Sequence, residues 1–252
     1  MAVVLPGVLL LSAWAPDSLS PYRKYGNITP EKYLTGQFNP RTHPFFVSPE
    51  KYGIPVRGSH HLLRREAAEA LSKLYRDFHR AHPDVPFLVR SSTRTFYDQK
   101  YIWESKWNGK RTVNGMKLDR DVKDPVERAG IILCYSSMPG TSRHHWGTEV
   151  DLNALNNRYF TTGRGRVLYT WLCRNAGKYG FCRPYTRGRK GGYKEERWHW
   201  SYAPLAVQFL RDWNRLFIHR PGYFSRPGFF RGSRFCGSLA HEYVNTISRE
   251  CR

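Results

Sequence analysis

The sequence lacks the short motifs that identify the commonest cofactor and metal sites. Its 252 residues contain no GxGxxG and no phosphate-binding P-loop, which argues against a dinucleotide or nucleotide enzyme. HExxH, the helical zinc signature of many metallopeptidases, is also missing. None of the five cysteines stands in a CxxC pair, so neither a zinc ribbon nor a thioredoxin-like motif is present. Any metal or catalytic site must therefore be built from a different residue pattern.

The odd number of cysteines leaves the disulfide pattern open. The pairs nearest in sequence are Cys173 with Cys182 and Cys236 with Cys251, and they are the candidates in an exported chain. Sequence does not determine the connectivity, and one thiol must stay free or pair between chains. The alternative is that several cysteines are small buried hydrophobic residues.

Acidic residues are scarce relative to basic ones. The chain has 20 Asp and Glu against 41 Lys and Arg, which gives a formal net charge of +21. A surface of this charge favours polyanionic partners such as nucleic acid, acidic lipid headgroups and anionic cell-wall polymers. The basic residues are spread from Arg23 to Arg252 and are not gathered into one helix or tail. The charge therefore predicts no specific nucleic-acid partner, whereas an anionic wall polymer remains a candidate partner.

Long apolar runs are absent apart from the first fifteen residues, MAVVLPGVLLLSAWA. This segment is shorter than the roughly 20 residues that span a bilayer, and it ends in Ala13-Trp14-Ala15. We therefore predict a secretory signal over residues 1–15, no transmembrane span, and one domain over residues 16–252. The mature chain is expected to be a monomer in the periplasm or outside the cell. A buried N-terminal strand is the alternative, because no Lys or Arg precedes Arg23 and Pro16 would follow the cut.

Apolar spacing and capping residues predict a mixture of helices and strands. Helices are expected over 63–78, 95–107, 124–135, 166–178 and 204–217, and strands over 85–92, 148–155 and 197–202. Helices and strands alternate with long loops, and no nucleotide-binding motif accompanies them. We therefore predict an α+β fold in a single domain, with a central, mainly antiparallel sheet flanked by helices.

Four residues in two segments have the composition of a catalytic zinc site, although on spacing alone ordinary hydrogen-bonded histidines are the alternative. Such sites take three His or carboxylate ligands, leave a fourth position for water, and keep a carboxylate nearby to accept a proton. His144 precedes a glycine turn, Asp151 lies on the predicted strand after it, and His199 lies on a neighbouring strand. Glu196, three residues before His199, is the candidate base. Positions 196 and 199 of a regular strand point to opposite faces, so this assignment requires a bend or a strand start between them.

Three segments of the chain combine polar residues and glycine at specific spacings. The first two stand as SxHxxGxxxD, with Ser142, His144, Gly147 and Asp151, and as ExxHW, with Glu196 and His199. The third, VRSSTRTFYDQ, matches a strand followed by SxxR and a downstream Gln, with Ser91, Arg94 and Gln99. Together these segments resemble the signatures of the VanY-like D-alanyl-D-alanine carboxypeptidases. The likeness covers about residues 85 to 205, and similar flanking stretches extend it over most of the chain. The wider superfamily holds D-Ala-D-Ala dipeptidases, phage L-Ala-D-Glu endopeptidases and the hedgehog signalling domain, whose fold we therefore expect.

This resemblance implies a role for each matched residue. His144, Asp151 and His199 would bind zinc, and Glu196 would act as general base and then protonate the leaving amine. Arg94 would stabilise the oxyanion or hold the terminal carboxylate of the substrate; a structural salt bridge is the alternative. Ser142 would bind substrate or cap the turn, and Gln99 would bind substrate or lie on the helix surface.

The implied activity is zinc-dependent removal of the terminal D-Ala from peptidoglycan stem peptides. The alternatives are an endopeptidase or dipeptidase of the same superfamily, a zinc-containing wall-binding protein without activity, and a nucleic-acid binder supported by charge alone. The sequence departs from the family pattern at Glu149, where a small residue is usual. An acidic side chain there would orient a metal ligand or repel part of a substrate.

Overall fold

The computed structural model describes residues 23–252, so the predicted signal segment, residues 1–15, and the predicted domain start at residue 16 lie outside the described part of the chain. None of the helices within 23–252 is both long and apolar enough to cross a bilayer. The helices are α1 Pro30–Leu34, α2 Arg65–Ala81, α3 Phe96–Trp107, α4 Leu118–Asp121, α5 Pro125–Leu133, α6 Gly163–Asn175, α7 Ala203–Phe217, α8 Ser233–Cys236 and α9 Ala240–Asn245. The strands are β1 Phe46–Val47, β2 Leu63–Arg64, β3 Val89–Ser91, β4 Glu149–Leu152, β5 Phe181–Cys182 and β6 His199–Tyr202.

The central sheet has four strands in the order β3-β4-β6-β5, and every neighbouring pair is antiparallel. A separate two-stranded antiparallel sheet joins β1 to β2. Helices pack around both sheets, so the predicted α+β class with an antiparallel central sheet is confirmed.

Local capping explains why two helices begin where the sequence predicts. Thr95 and Asp98 form a capping box at the start of α3, each side chain bonding to the other's backbone N–H. The Asp124 side chain accepts from Val126 N at the start of α5. The predicted helix over 63–78 instead begins at Arg65, because Leu63 and Arg64 pair with β1.

The two faces of the central sheet have opposite chemistry. Val150, Leu152 and Trp200 belong to an apolar cluster with residues of α2 and α6. The alternate positions of β4 and β6 are polar, yet all four are buried: Glu149, Asp151, His199 and Ser201. Strand alternation thus concentrates carboxylates and a histidine on one enclosed face, where each must find a partner.

One disulfide joins Cys182 of β5 to Cys251, 69 residues further along the chain. Neither sequence-near pair forms, and Cys134, Cys173 and Cys236 are free. Proximity in sequence was a poor guide because the C-terminal segment folds back onto the sheet: Ser248 N donates to Pro184 O.

Removing this disulfide should cost stability. For a loop of 69 residues, the chain-entropy relation predicts that the double variant Cys182→Ser, Cys251→Ser loses about 4 kcal/mol in free energy of unfolding. Urea denaturation followed by circular dichroism measures the loss, and Cys173→Ser, which removes a free exposed thiol, is the matched control. A change of less than about 1 kcal/mol, against the usual 2–5 kcal/mol, would contradict this expectation.

Candidate metal centre and active site

Three of the sequence-predicted residues converge on one point. Donor atoms of His144, Asp151 and His199 all lie within 4.8 Å of one another, and all three residues are buried. Asp151 and His199 are directly opposed across β4 and β6, which places their side chains on the same face. His144 joins them from a 3₁₀ helix, Arg143–Trp146, that immediately precedes β4.

Gly147 makes the reversal between that 3₁₀ helix and β4. Its φ of 77° lies in the left-handed region, which residues other than Gly rarely adopt. A Cβ at this position would also lie 2.5 Å from the Phe46 ring. The glycine of the SxHxxGxxxD segment is therefore required by both the turn and its packing.

Hydrogen bonds define which nitrogen of each histidine is free. His144 Nδ1 lies 2.7 Å from the Ser92 carbonyl oxygen, which can only accept, so Nδ1 carries the proton. His199 Nε2 likewise donates to the Glu149 carboxylate at 2.8 Å. His144 Nε2 and His199 Nδ1 remain, 3.4 and 3.0 Å from the two carboxylate oxygens of Asp151.

These atoms face one another in a buried site. His144 Nε2 is buried without a hydrogen-bond partner, and the nearest polar atom to Asp151 Oδ1 in this group is His199 Nδ1, 3.0 Å away. A cation or a shared proton is needed between such groups, and two imidazole nitrogens with one carboxylate are a donor set that zinc prefers. Burial alone would lower the pKa of His199, but bonds to Asp151 and Glu149 raise it to about 9. Burial would raise the pKa of Asp151, yet the two histidines hold it well below its usual range.

Glu196 lies beside this group because β6 begins only at His199. A turn precedes the strand, with His199 N donating to Glu196 O, and it brings the Glu196 carboxylate to 3.6 Å from His199 Nδ1. The sequence assignment required a bend or a strand start between positions 196 and 199, and the structure has both: a turn, followed by the first residue of β6. Burial, assisted by Asp151, raises the pKa of Glu196 to about 7, which suits a group that accepts and returns protons near neutral pH.

Arg94 borders the same group from the loop between β3 and α3. Its guanidinium Nη2 lies 4.0 Å from Asp151 Oδ2, and its Nε is buried without a partner. The side chain lines a surface cleft, while Glu196 lines a second one. Arg94 therefore places a positive charge and an unpaired N–H group beside the three candidate metal ligands.

Ser142 and Gln99 are both fully buried. The Ser142 hydroxyl makes no capping hydrogen bond to the 3₁₀ helix, and its Oγ has no partner. The Gln99 amide donates to the Ser137 carbonyl oxygen at 2.7 Å, and its Oε1 is unpaired. Gln99 thus lies inside the protein and not on the helix surface, while substrate binding by either residue stays a prediction.

Two further residues border the site without being candidate ligands or catalytic groups. His145 Nδ1 donates to the Arg94 carbonyl oxygen at 2.7 Å, and its Nε2 accepts from Gly140 N, so His145 supports the Arg94 loop. Lys106 of α3 has its pKa lowered to about 8 by burial and by Arg94, with Glu196 opposing the shift. His145 lies beside the site because it follows the donor His144 in the chain, whereas Lys106 is brought close by the packing of α3.

Fold and site together define a class of protein: an α+β domain with a buried three-donor site and a free carboxylate beside it, as in hydrolases that activate water. The chain matches the family model VanY, D-alanyl-D-alanine carboxypeptidase, over residues 60–205. It therefore belongs to the VanY family of D-alanyl-D-alanine carboxypeptidases, as the sequence resemblance predicted.

Individual relatives match over shorter stretches. A D-alanyl-D-alanine carboxypeptidase of Enterococcus faecalis (strain ATCC 700802 / V583) is 37% identical over 73 residues, 28% of this chain and 26% of that protein. YodJ of Bacillus subtilis (strain 168) is 28% identical over 160 residues, 60% of this chain and 50% of YodJ. The chain thus spans between a quarter and a half of the length of these two relatives.

Among solved structures, the chain is similar to a mutant of the vancomycin resistance D,D-pentapeptidase VanY from the VanB-type resistance cassette, in complex with Zn(II). The sequence identity is 24%, the TM-score is 0.44, and the alignment covers 64% of this chain and 86% of that one.

Proposed function

We propose that the protein is a zinc-dependent D-alanyl-D-alanine carboxypeptidase that removes the terminal D-Ala from peptidoglycan stem peptides. One observation carries the proposal: within a chain of the VanY family, His144, Asp151 and His199 present their donor atoms within 4.8 Å of one another. The Glu196 carboxylate lies next to this group, 3.6 Å from His199 Nδ1. A binding protein without activity has no need of that carboxylate.

The three donors would hold zinc through His144 Nε2, His199 Nδ1 and the Asp151 carboxylate. When bound, zinc polarises the scissile carbonyl and lowers the pKa of the attacking water. Glu196 would accept a proton from that water and return it to the leaving amine of D-alanine. Without a cation in the site, burial raises the pKa of Glu196 to about 7, and a carboxylate whose pKa is raised towards neutrality suits both transfers.

Arg94 is assigned to the substrate side of the reaction. Its unpaired Nε and its loose, 4.0 Å contact with Asp151 leave the guanidinium free to bind an oxyanion or a terminal carboxylate. Ser142 Oγ and Gln99 Oε1 are assigned as further substrate contacts, supported by their unsatisfied hydrogen-bonding capacity.

The proposal places the protein in the periplasm or outside the cell. The Cys182–Cys251 disulfide supports this location, because disulfides persist in oxidising compartments. The signal segment over residues 1–15, the monomeric state and an anionic wall polymer as a second partner stay predictions.

The test is a product assay on a pentapeptide stem ending in D-Ala-D-Ala. We expect mass spectrometry to show the loss of a single alanine, abolition of this loss by a chelator, and its recovery when zinc is added back. Loss of an alanyl-alanine dipeptide would indicate a dipeptidase, and internal fragments from whole sacculi would indicate an endopeptidase. Alanine release that is unaffected by the chelator would refute the zinc mechanism, and absence of any cleavage would refute the enzyme.

A further inference from the structure

Glu149 is a buried carboxylate that the proposed reaction does not use. It is completely inaccessible to solvent and accepts four contacts. They come from Thr148 Oγ1 at 3.0 Å, Ser201 Oγ at 2.7 Å, Arg143 Nη2 at 3.3 Å and His199 Nε2 at 2.8 Å. A buried charge is retained only when it is paired and hydrogen-bonded, and Glu149 meets both conditions.

The partner charge is supplied by Arg143, which is itself buried. Its guanidinium stacks on the Trp146 ring, 4.7 Å from the ring centroid, and Nη2 also donates to Ser201 Oγ at 2.9 Å. Arg143, Ser201 and Glu149 therefore form one hydrogen-bonded group in which the two charges offset each other. The two Glu149 oxygens have different partners. Oε1 accepts from Arg143 and the hydroxyls, and Oε2 accepts from His199.

Strand register explains why Glu149 reaches the imidazole of His199. Glu149 opposes Ser201 across β4 and β6, and Asp151 opposes His199, so Glu149 and His199 are diagonal neighbours on one face. Asp151 meets Nδ1 of the ring at 3.0 Å, and Glu149 meets Nε2 at 2.8 Å. The ring is thus held between two carboxylates, one on each nitrogen.

We propose that Glu149 is a positioning residue that holds His199 with Nε2 protonated and Nδ1 directed at the metal. A carboxylate can only accept, so the 2.8 Å contact places the proton on Nε2 and leaves the Nδ1 lone pair for zinc. The inference rests on the proposed zinc site. Substrate repulsion, the other role open to an acidic residue here, does not fit a side chain that is sealed from solvent.

Zinc affinity tests the inference without any peptide substrate, by competition between the protein and a fluorescent Zn(II) chelator. Loss of an outer carboxylate partner typically weakens metal binding by about 10–100-fold. We expect Glu149→Gln, whose amide oxygen can still accept, to lie near the lower end of this range and Glu149→Ala near the upper end. Glu69→Gln, an exposed glutamate on α2, is the charge-matched control and should bind zinc as the wild type does.

Histidine ¹⁵N chemical shifts provide a second measurement. The zinc-loaded wild type should show His199 in the Nε2–H form with a slowly exchanging proton, and Glu149→Ala should lose that protection.

If Glu149→Ala does not fold because Arg143 is left unpaired, the double variant Arg143→Met, Glu149→Ala removes both charges and should still show weakened zinc binding. Zinc affinity within twofold of the wild type in every folded Glu149 variant would overturn the inference. If Glu149→Ala weakens zinc binding but the wild type releases no D-alanine, the role of Glu149 is upheld and the proposed activity is refuted.

Discussion

Replacing Glu196 by Gln should reduce kcat for D-alanine release by about 10³-fold, within the range of 10²–10⁴ that general acid–base catalysis contributes. The substitution keeps the shape of the side chain and removes its capacity to take a proton. Zinc content should be unchanged, because Glu196 lies beside the three donors and is not one of them. Steady-state kinetics on the pentapeptide and metal analysis of the same preparation measure the two effects separately.

The adjacent residue provides the matched control. Glu195 has the same chemistry, but its carboxylate pairs with Arg197 at 3.4 Å. Glu195→Gln should therefore retain kcat to within about twofold, as expected for loss of a partly exposed ion pair. If Glu196→Gln keeps more than a tenth of the wild-type kcat, or if both variants lose activity equally, the assignment of the base is wrong.

Replacing Asp151 by Asn should weaken zinc binding by more than about 100-fold. This exceeds the effect of replacing a residue that only hydrogen-bonds to a metal ligand. Asp151 is the only carboxylate in the three-donor group, and it lies between the free nitrogens of His144 and His199. Activity should be lost together with the metal. Equilibrium competition with a chelator and metal analysis after dialysis measure the effect, and Asp84→Asn, an exposed aspartate, is the control.

The wild type should also bind zinc more tightly as the pH rises. Without a cation, His199 keeps its second proton up to a pKa of about 9, and zinc must displace that proton to reach Nδ1. Apparent affinity should therefore increase with pH towards 9 and then level off. In Asp151→Asn this dependence should shift to lower pH, because one of the two bonds that raise the pKa of His199 is weakened. Full zinc occupancy in Asp151→Asn would contradict the three-donor site.

Much of the site was predictable because its parts are short segments with specific spacing. SxHxxGxxxD and ExxHW identified His144, Asp151, Glu196 and His199, and the structure brings all four together. Whether Glu196 faced the same point as His199 was not predictable from strand alternation. The turn that ends at His199 decided it, and turn geometry depends on the packing of the preceding loop.

The environment of each site residue was much less predictable. Gln99 looked equally suited to a helix surface and to a site, yet it is fully buried against the segment before the 3₁₀ helix. Glu149 appeared only as a departure from a pattern, and its partners come from β6 and from Arg143. Such contacts join residues up to 52 positions apart, so no local pattern reports them.

The sequence by itself determined the approximate bounds of the longer helices, α2, α3, α5, α6 and α7, and of the strands β3, β4 and β6, but not the short helices or β1, β2 and β5. It also indicated the family, the three donors and the neighbouring carboxylate. The helices and strands follow from periodicity and capping residues, which act over a few residues of chain, whereas the site residues follow from the resemblance of three short segments to the family. Only the tertiary structure decided the Cys182–Cys251 pairing, the nitrogen that each histidine leaves free, and the partnership of Glu149 with His199. Those features depend on how distant segments pack and which strands pair in which register, and contacts at that range are set by the whole fold.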